Sequence, residues 1–110
     1  MMTSSYKYIS ELSAEVQPPS KGILSRAVFD DANIKVVMFG FGAGDELSEH
    51  TASTAAIVHV LDGEATITLG VDSFEARSGT WIHMPPALPH SIRAKTPTLM
   101  LLTLLKNSKS

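Results

Sequence analysis

Ala55–Leu69 reads AAIVHVLDGEATITL, two apolar runs about an Asp62-Gly63 pair, and this stretch decides the class of fold. The second run alternates, with Ala65, Ile67 and Leu69 on one face and Thr66 and Thr68 on the other. That is the period of a half-buried strand. Asp-Gly is the favoured pair for a two-residue hairpin, because both positions require positive φ. The stretch is therefore expected to be two strands of a β-hairpin.

Working outward, the same pattern repeats. Ile23–Phe29 is an apolar run closed by Asp30-Asp31-Ala32-Asn33, and Ile34–Phe41 is the next, broken by glycines at 40, 42 and 44. Ser73–Ala76, Thr80–Met84, Ser91–Lys95 and Thr98–Leu105 complete the set. About nine or ten short strands punctuated by turn signals make an all-β sandwich or barrel. Helix is supported only over Ser10–Val16, since elsewhere Gly, Pro or β-branched runs interrupt any helical period. Residues 1–22 are mixed and polar and end in Pro18-Pro19 and Gly22. They read as an N-terminal arm with at most one short strand, Tyr6–Ile9, and residues 23–110 as one barrel domain.

Composition narrows the chemistry. The chain has 110 residues, the size of a single domain. Nine basic residues against eleven acidic give a net charge of -2, without the basic excess that nucleic-acid binding requires. The absence of cysteine excludes a disulfide framework, a thiolate metal site and a cysteine nucleophile. Met1–Glu15 lacks the apolar core of a secretory signal. Leu99–Leu105 is apolar but far short of the roughly 20 residues of a membrane helix. A cytoplasmic protein with no membrane or nucleic-acid partner is expected. Its only strong metal-capable side chains are histidine and carboxylate. No Gly-x-Ser-x-Gly elbow is present. The glycines at 40, 42 and 44 are followed by no Lys-Ser/Thr and no helix, so they are not a phosphate loop; they permit a sharp turn into the segment leading to His50.

Two of the four histidines stand in informative surroundings: His50 in GDELSEH (Gly44–His50) and His90 in GTWIHMPPALPH (Gly79–His90). These segments resemble the paired motifs of the cupin superfamily, small RmlC-like barrels of jelly-roll (double-stranded β-helix) type. Gly44, His50 and Gly63 match the first motif at its spacing. Gly79, Pro85 and His90 match the second. The resemblance runs from Ile34 to Leu105 and implies a cupin barrel.

The departures bear on function. The second histidine of the first motif falls on Ala52 and its glutamate on Ala56; the glycine and asparagine of the second fall on Ala87 and Ala94. In cupins with a complete site, two histidines, the glutamate and the later histidine hold one divalent ion. The resemblance thus leaves His50 and His90 as the metal ligands, for Fe, Ni, Mn or Zn. Tight catalytic sites usually keep three protein ligands. His83 is the preferred third ligand, ahead of His59 and of Glu49. If Ala56 points inward as its family equivalent does, Val58 and Val60 do too and His59 points away. His83 shares a face with Trp81, opposite Ile82 and Met84, and the sequence leaves open which of the two faces is inside. Ala52, Ala56, Val58 and Trp81 are the expected pocket wall. Phe39, Phe41 and Phe74 are expected in the core or pocket wall, and Met38, Met84 and Met100 in the core. Arg93, Lys95, Lys106 and Lys109 read as solvated surface.

Two functional readings follow from the resemblance. One is a cupin that binds a small molecule in the barrel mouth, with alanines 52 and 56 widening an apolar pocket and the histidines as its few polar groups. The other is a metal-dependent dioxygenase or isomerase using His50, His90 and a third ligand. Small cupins commonly dimerise, often with an N-terminal segment crossing to the partner sheet; residues 1–22 bury little alone and the apolar C-terminal run needs covering, so a homodimer is expected, with the arm as a swapped or interface strand.

Overall fold

The computed structural model describes residues 5–109; residues 1–4 and 110, and the side chains of Ser108 and Lys109, lie outside the described part. Among the described residues nine strands follow one another: β1 (Ile23–Asp30), β2 (Ile34–Phe41), β3 (Glu46–His50), β4 (Thr54–Asp62), β5 (Glu64–Leu69), β6 (Asp72–Arg77), β7 (Trp81–Met84), β8 (His90–Ala94) and β9 (Thr98–Lys109). They form two antiparallel sheets, one ordered β1-β2-β9-β4-β7 and the other β3-β8-β5-β6. The all-β architecture expected from the alternation is what the chain adopts. Ser10–Val16 contains only one turn of 3-10 helix, Leu12–Ala14, and Tyr6–Ile9 is not in a strand.

The central stretch differs from its expectation. β4 pairs with β7 and β9, whereas β5 pairs with β6 and β8. Asp62-Gly63 is therefore no hairpin turn; it is the corner at which the chain leaves one sheet for the other. Gly63 has φ +92°, and its α-carbon faces the backbone of Pro97 and Thr98 so closely that an added Cβ would sit 2.2 Å from the Pro97 carbonyl oxygen. The tight β5–β6 hairpin instead turns at Gly70-Val71, with Gly70 at φ +62°. A positive φ at the first turn position only is what a type II′ turn uses.

Alternation then sorts the side chains. Ala56, Val58 and Val60 of β4, Phe41 of β2, Met84 of β7 and Met100 of β9 face Ala65, Ile67, Ala76, Ile92 and Ala94 of the second sheet, forming the principal core. Ala65, Ile67 and Leu69 share the inner face as the sequence implies. A second cluster lies on the outer face of the five-stranded sheet, where Val16, Ile9 and Leu12 of the arm cover Val28, Met38 and Leu99. The arm approaches β2 so closely that a Cβ on Gly40 would meet Val16 Cγ1 at 2.9 Å. The described part of the arm thus packs on its own sheet and forms no strand that crosses to a partner.

The loop joining β1 to β2 is held by carboxylates. Asp31 Oδ1 accepts the backbone N–H groups of Asn33 and Ile34, both at 2.8 Å. Lys106 pairs with Asp30 and donates to the Asp31 carbonyl at 2.6 Å. The Ile34 and Asn33 N–H bonds, with the Lys106 charge, hold the Asp31 carboxyl below its ordinary range. On the second sheet, the Lys95 ion pair and the Thr66 hydroxyl do the same to Glu75. Both groups are lowered on folding, so the stability they contribute is present above the ordinary carboxylate pKa and lost as the pH falls through the lowered values. A modest fall in thermal midpoint is expected below about pH 4, and Asp31→Asn with Glu75→Gln should flatten it. An unchanged acid slope in the double variant would contradict this assignment.

Candidate functional site

His50 and His90 face each other across the β3–β8 ladder, where they are register partners. Their ring centroids are 4.1 Å apart, with the planes tilted by 59°. Each ring is anchored in the same way. His50 Nδ1 lies 2.8 Å from the Ser48 carbonyl oxygen, and His90 Nδ1 lies 2.8 Å from the Leu88 carbonyl oxygen. A carbonyl only accepts, so Nδ1 is the protonated nitrogen in both rings. In the neutral rings, Nε2 is left as the free lone pair. Backbone anchoring of the far nitrogen is also what orients histidines that bind ligands or metals.

The two rings close one end of a cavity of about 120 Å3 between the sheets. Ala52, Thr54 and Ala56 line it from the β3–β4 side; Met84, Pro85 and Leu88 from the β7–β8 loop; Leu102 and Leu104 from β9. The wall is mostly apolar, with the Thr54 hydroxyl and the imidazoles as its polar groups. His90 is buried, 8% exposed, whereas His50 is open to solvent at the mouth. The β7–β8 loop is tied over the site by the Ala87 N–H, which donates to the Ala52 carbonyl at 2.8 Å.

Ala87 itself has φ +68°, the left-handed region that costs a residue with a Cβ roughly 1–2 kcal/mol. It occupies the position where the second cupin motif carries glycine. Ala87→Gly should therefore stabilise the chain by about 0.5–1 kcal/mol, after allowing for the larger unfolded-state entropy of glycine. Denaturant titration checks this; a loss of stability would mean that the αL geometry is not what limits the loop.

Three expected site positions are corrected. His83 is opposite Ile57 across the β4–β7 ladder, while Met84 is opposite the inward-facing Ala56. Cross-strand partners share a face, so His83 is on the outer surface and exposed, away from the cavity. Trp81 is on that same outer face, opposite His59 and 60% exposed, so it is no pocket wall. Val58 points inward but sits one inward position deeper than Ala56 along β4, 1% exposed within the core, and does not line the cavity. His59 faces away, opposite Leu101 on the outer face. Among the aromatic residues, Phe41 is core and Phe39 packs against it, whereas Phe74 is half exposed on the edge strand β6. The lining residues Met84, Leu88, Leu102 and Leu104 were not assigned from sequence. The strand alternation groups Leu102 with Leu104, but only the register against β4 shows which face is inside.

The donor set can be tested against a resident divalent ion. Two imidazoles meet at the cavity, and Ala52 and Ala56 add no donor. No group of three or more His, Cys, Asp or Glu side chains is gathered among the described residues. Structural and catalytic sites of this kind rest on three or four protein ligands, so these residues do not fit a resident metal. A wider polar hollow lined by Glu64, Arg77, Thr80 and Lys95 lies elsewhere on the second sheet, where Lys95 pairs with Glu75 and Glu64 is the register partner of Arg77.

Two antiparallel sheets packed face to face, with a pair of histidines at one mouth, define the class: a small β-barrel. The family is then plain, since the cupin domain profile matches residues 36–104 and the chain belongs to the cupin family. Among solved structures it is similar to a conserved protein of unknown function from Streptococcus pyogenes, with TM-score 0.82 and 27% identity over 94% of this chain and 90% of that one. It is also similar to an RmlC-like cupin protein from Desulfovibrio desulfuricans, with TM-score 0.79 and 28% identity over 93% and 98%. A cupin 2 conserved barrel domain protein from Leptotrichia buccalis matches at TM-score 0.80 and 30% identity over 86% of this chain and 46% of that longer one. No functionally curated protein matches the chain. Among the described residues no helix is long and apolar enough to cross a membrane.

Proposed function

We propose that this cupin binds a small molecule in the cavity at the barrel mouth, with His50 and His90 as its polar recognition groups. The observation that carries this reading is the pair of Nδ1-anchored imidazoles, whose free nitrogens border an apolar cavity of about 120 Å3. Two lone-pair acceptors side by side, with no protein donor paired to them among the described residues, call for a ligand that brings a donor. An engineered cavity of roughly 150 Å3 holds benzene, so the occupant has about six heavy atoms. Metal-dependent oxygenase or isomerase chemistry has less support, because the third and fourth ligand positions are alanine.

Propionate and phenol are suitable probes, observed through the Met84 methyl and the imidazole nitrogens by NMR. Saturable shifts at Met84, His50 and His90 are expected, and Ala56→Leu should weaken them by filling the cavity. Probes of this size that leave all three residues unmoved would overturn the reading.

We also propose a homodimer through the outer face of the five-stranded sheet. β9 is apolar on both faces, and the arm covers Leu99 but leaves an open hollow of about 380 Å3 between its own Lys7, Ile9 and Leu12 and the sheet residues Val28, Ile34, Val36 and Leu101. Apolar faces of this kind are usually covered, and a second copy presents a matching flat sheet. Light scattering should give twice the chain mass of 11.8 kDa; a mass of one chain would refute it.

A further inference from the structure

Three polar side chains line the mouth cavity: His50, His90 and Thr54. Nδ1 of each ring is engaged with a backbone carbonyl, so each neutral ring offers Nε2 as an acceptor and no further donor. The rings are 4.1 Å apart, yet two lone pairs cannot satisfy each other. Thr54 opens β4, and among the described residues its hydroxyl has no hydrogen-bond partner. No fully buried side-chain oxygen is left unpaired among those residues, so this hydroxyl is open to the cavity that Thr54 lines.

The cavity thus presents two acceptors and one donor against an apolar wall that includes Ala52, Ala56, Leu102 and Leu104. No Asp, Glu, Lys or Arg lines it. An ionised carboxylate would bring lone pairs to lone pairs. An ammonium would bring a charge that nothing neutralises, and either is costly away from water. A vicinal diol supplies two donors, but brings two hydroxyl oxygens where the wall offers one donor. A primary amide matches the whole set. Its two N–H groups serve the two Nε2 atoms, and its carbonyl oxygen accepts from Thr54. Room for about six heavy atoms leaves a chain of about three carbons beyond the amide.

Resting on the small-molecule reading above, we propose that the cavity selects a small uncharged primary carboxamide with a short aliphatic chain, and that Thr54 determines this specificity. The NH2 group bridges His50 and His90, and the chain lies against Met84, Leu102 and Leu104.

The test is NMR titration of the full chain at about pH 8, where histidine is neutral, following the Met84 methyl. The probes are butyramide, its isomer N,N-dimethylacetamide, butyrate, butylamine and 1,2-butanediol, which share the size and differ in the head group. Butyramide should bind roughly tenfold or more tightly than each of the others, the factor expected when a polar group is left unpaired. The chains of the others still reach the apolar wall, so weak saturable shifts remain. Thr54→Val, which keeps the shape of the side chain, should weaken butyramide by roughly tenfold, and Thr54→Ser should restore it. His50→Ala, at an exposed position, should narrow the gap between butyramide and N,N-dimethylacetamide. Any competitor binding as tightly as butyramide would overturn this inference and leave the small-molecule reading standing. Unaltered butyramide binding in Thr54→Val would overturn the role of Thr54. A Met84 methyl, His50 and His90 that respond to none of these probes, nor to propionate or phenol, would overturn both readings.

Discussion

Gly63→Ala should destabilise the chain by about 3 kcal/mol or more, a large part of the 5–15 kcal/mol that holds a domain of this size. Two costs add. The backbone at Gly63 has φ +92°, which is strained for any residue with a Cβ. The new methyl would also lie 2.2 Å from the Pro97 carbonyl oxygen and 2.8 Å from the Thr98 α-carbon. Those are backbone atoms, so a rotamer change relieves nothing, and overpacking of this kind typically costs about 1–3 kcal/mol. The neighbourhood is also tied. Thr98, 1% exposed, donates its hydroxyl to the carbonyls of Thr96 and Glu64, and Glu64 N–H donates to the Thr96 hydroxyl at 2.9 Å. Moving Pro97 to admit the methyl disturbs the junction between the two sheets. Urea denaturation should show a lower midpoint with an unchanged slope; an unfolding free energy within about 1 kcal/mol of the parent would mean the corner is looser than its geometry implies.

That corner also shows what the sequence carried and what it did not. The strands around Asp62-Gly63 are where the alternation puts them, because burial on one face is a local signal. Their partners are not, because pairing is decided by non-local contacts. Asp-Gly permits positive φ, and a sheet-to-sheet corner uses that freedom as well as a hairpin does. The same limit applies at the site. Motif spacing brought His50 and His90 together, and the register confirms them as direct cross-strand partners. The face on which His83 and Trp81 sit was not legible, since Trp81-Ile82-His83-Met84 alternates without saying which pair is inside. One register fact, Met84 opposite Ala56, settles it. The loop strain at Ala87 was equally invisible, because the sequence shows the replaced glycine but not the φ that makes the replacement costly.

The second large effect is a gain. Ala52→His with Ala56→Glu should create a resident metal site and raise Ni2+ affinity roughly a hundredfold or more, since even outer partners of a metal site change affinity about 10–100-fold. Both alanines line the cavity that His50 and His90 close, so the new donors would project into existing space. The resemblance to complete cupin sites places a histidine and a glutamate at these two positions. Without metal, the double variant should be less stable than the parent, because Ala56 is 2% exposed and a carboxylate there is desolvated. Ni2+ should restore the loss, as any ligand of the native state does. Thermal melts with and without Ni2+ check both halves. A variant that binds Ni2+ no better than the parent would mean the cavity does not hold the four side chains around one point.

If the barrel mouth takes a small molecule and its two histidines do not by themselves retain a metal, the untagged protein should come through exhaustive dialysis against metal-free buffer nearly bare. Elemental analysis should then find iron, nickel, manganese and zinc well below one equivalent per chain, with His50→Ala and His90→Ala indistinguishable from the parent. One equivalent of any of these metals retained by the parent and lost in both variants would contradict this.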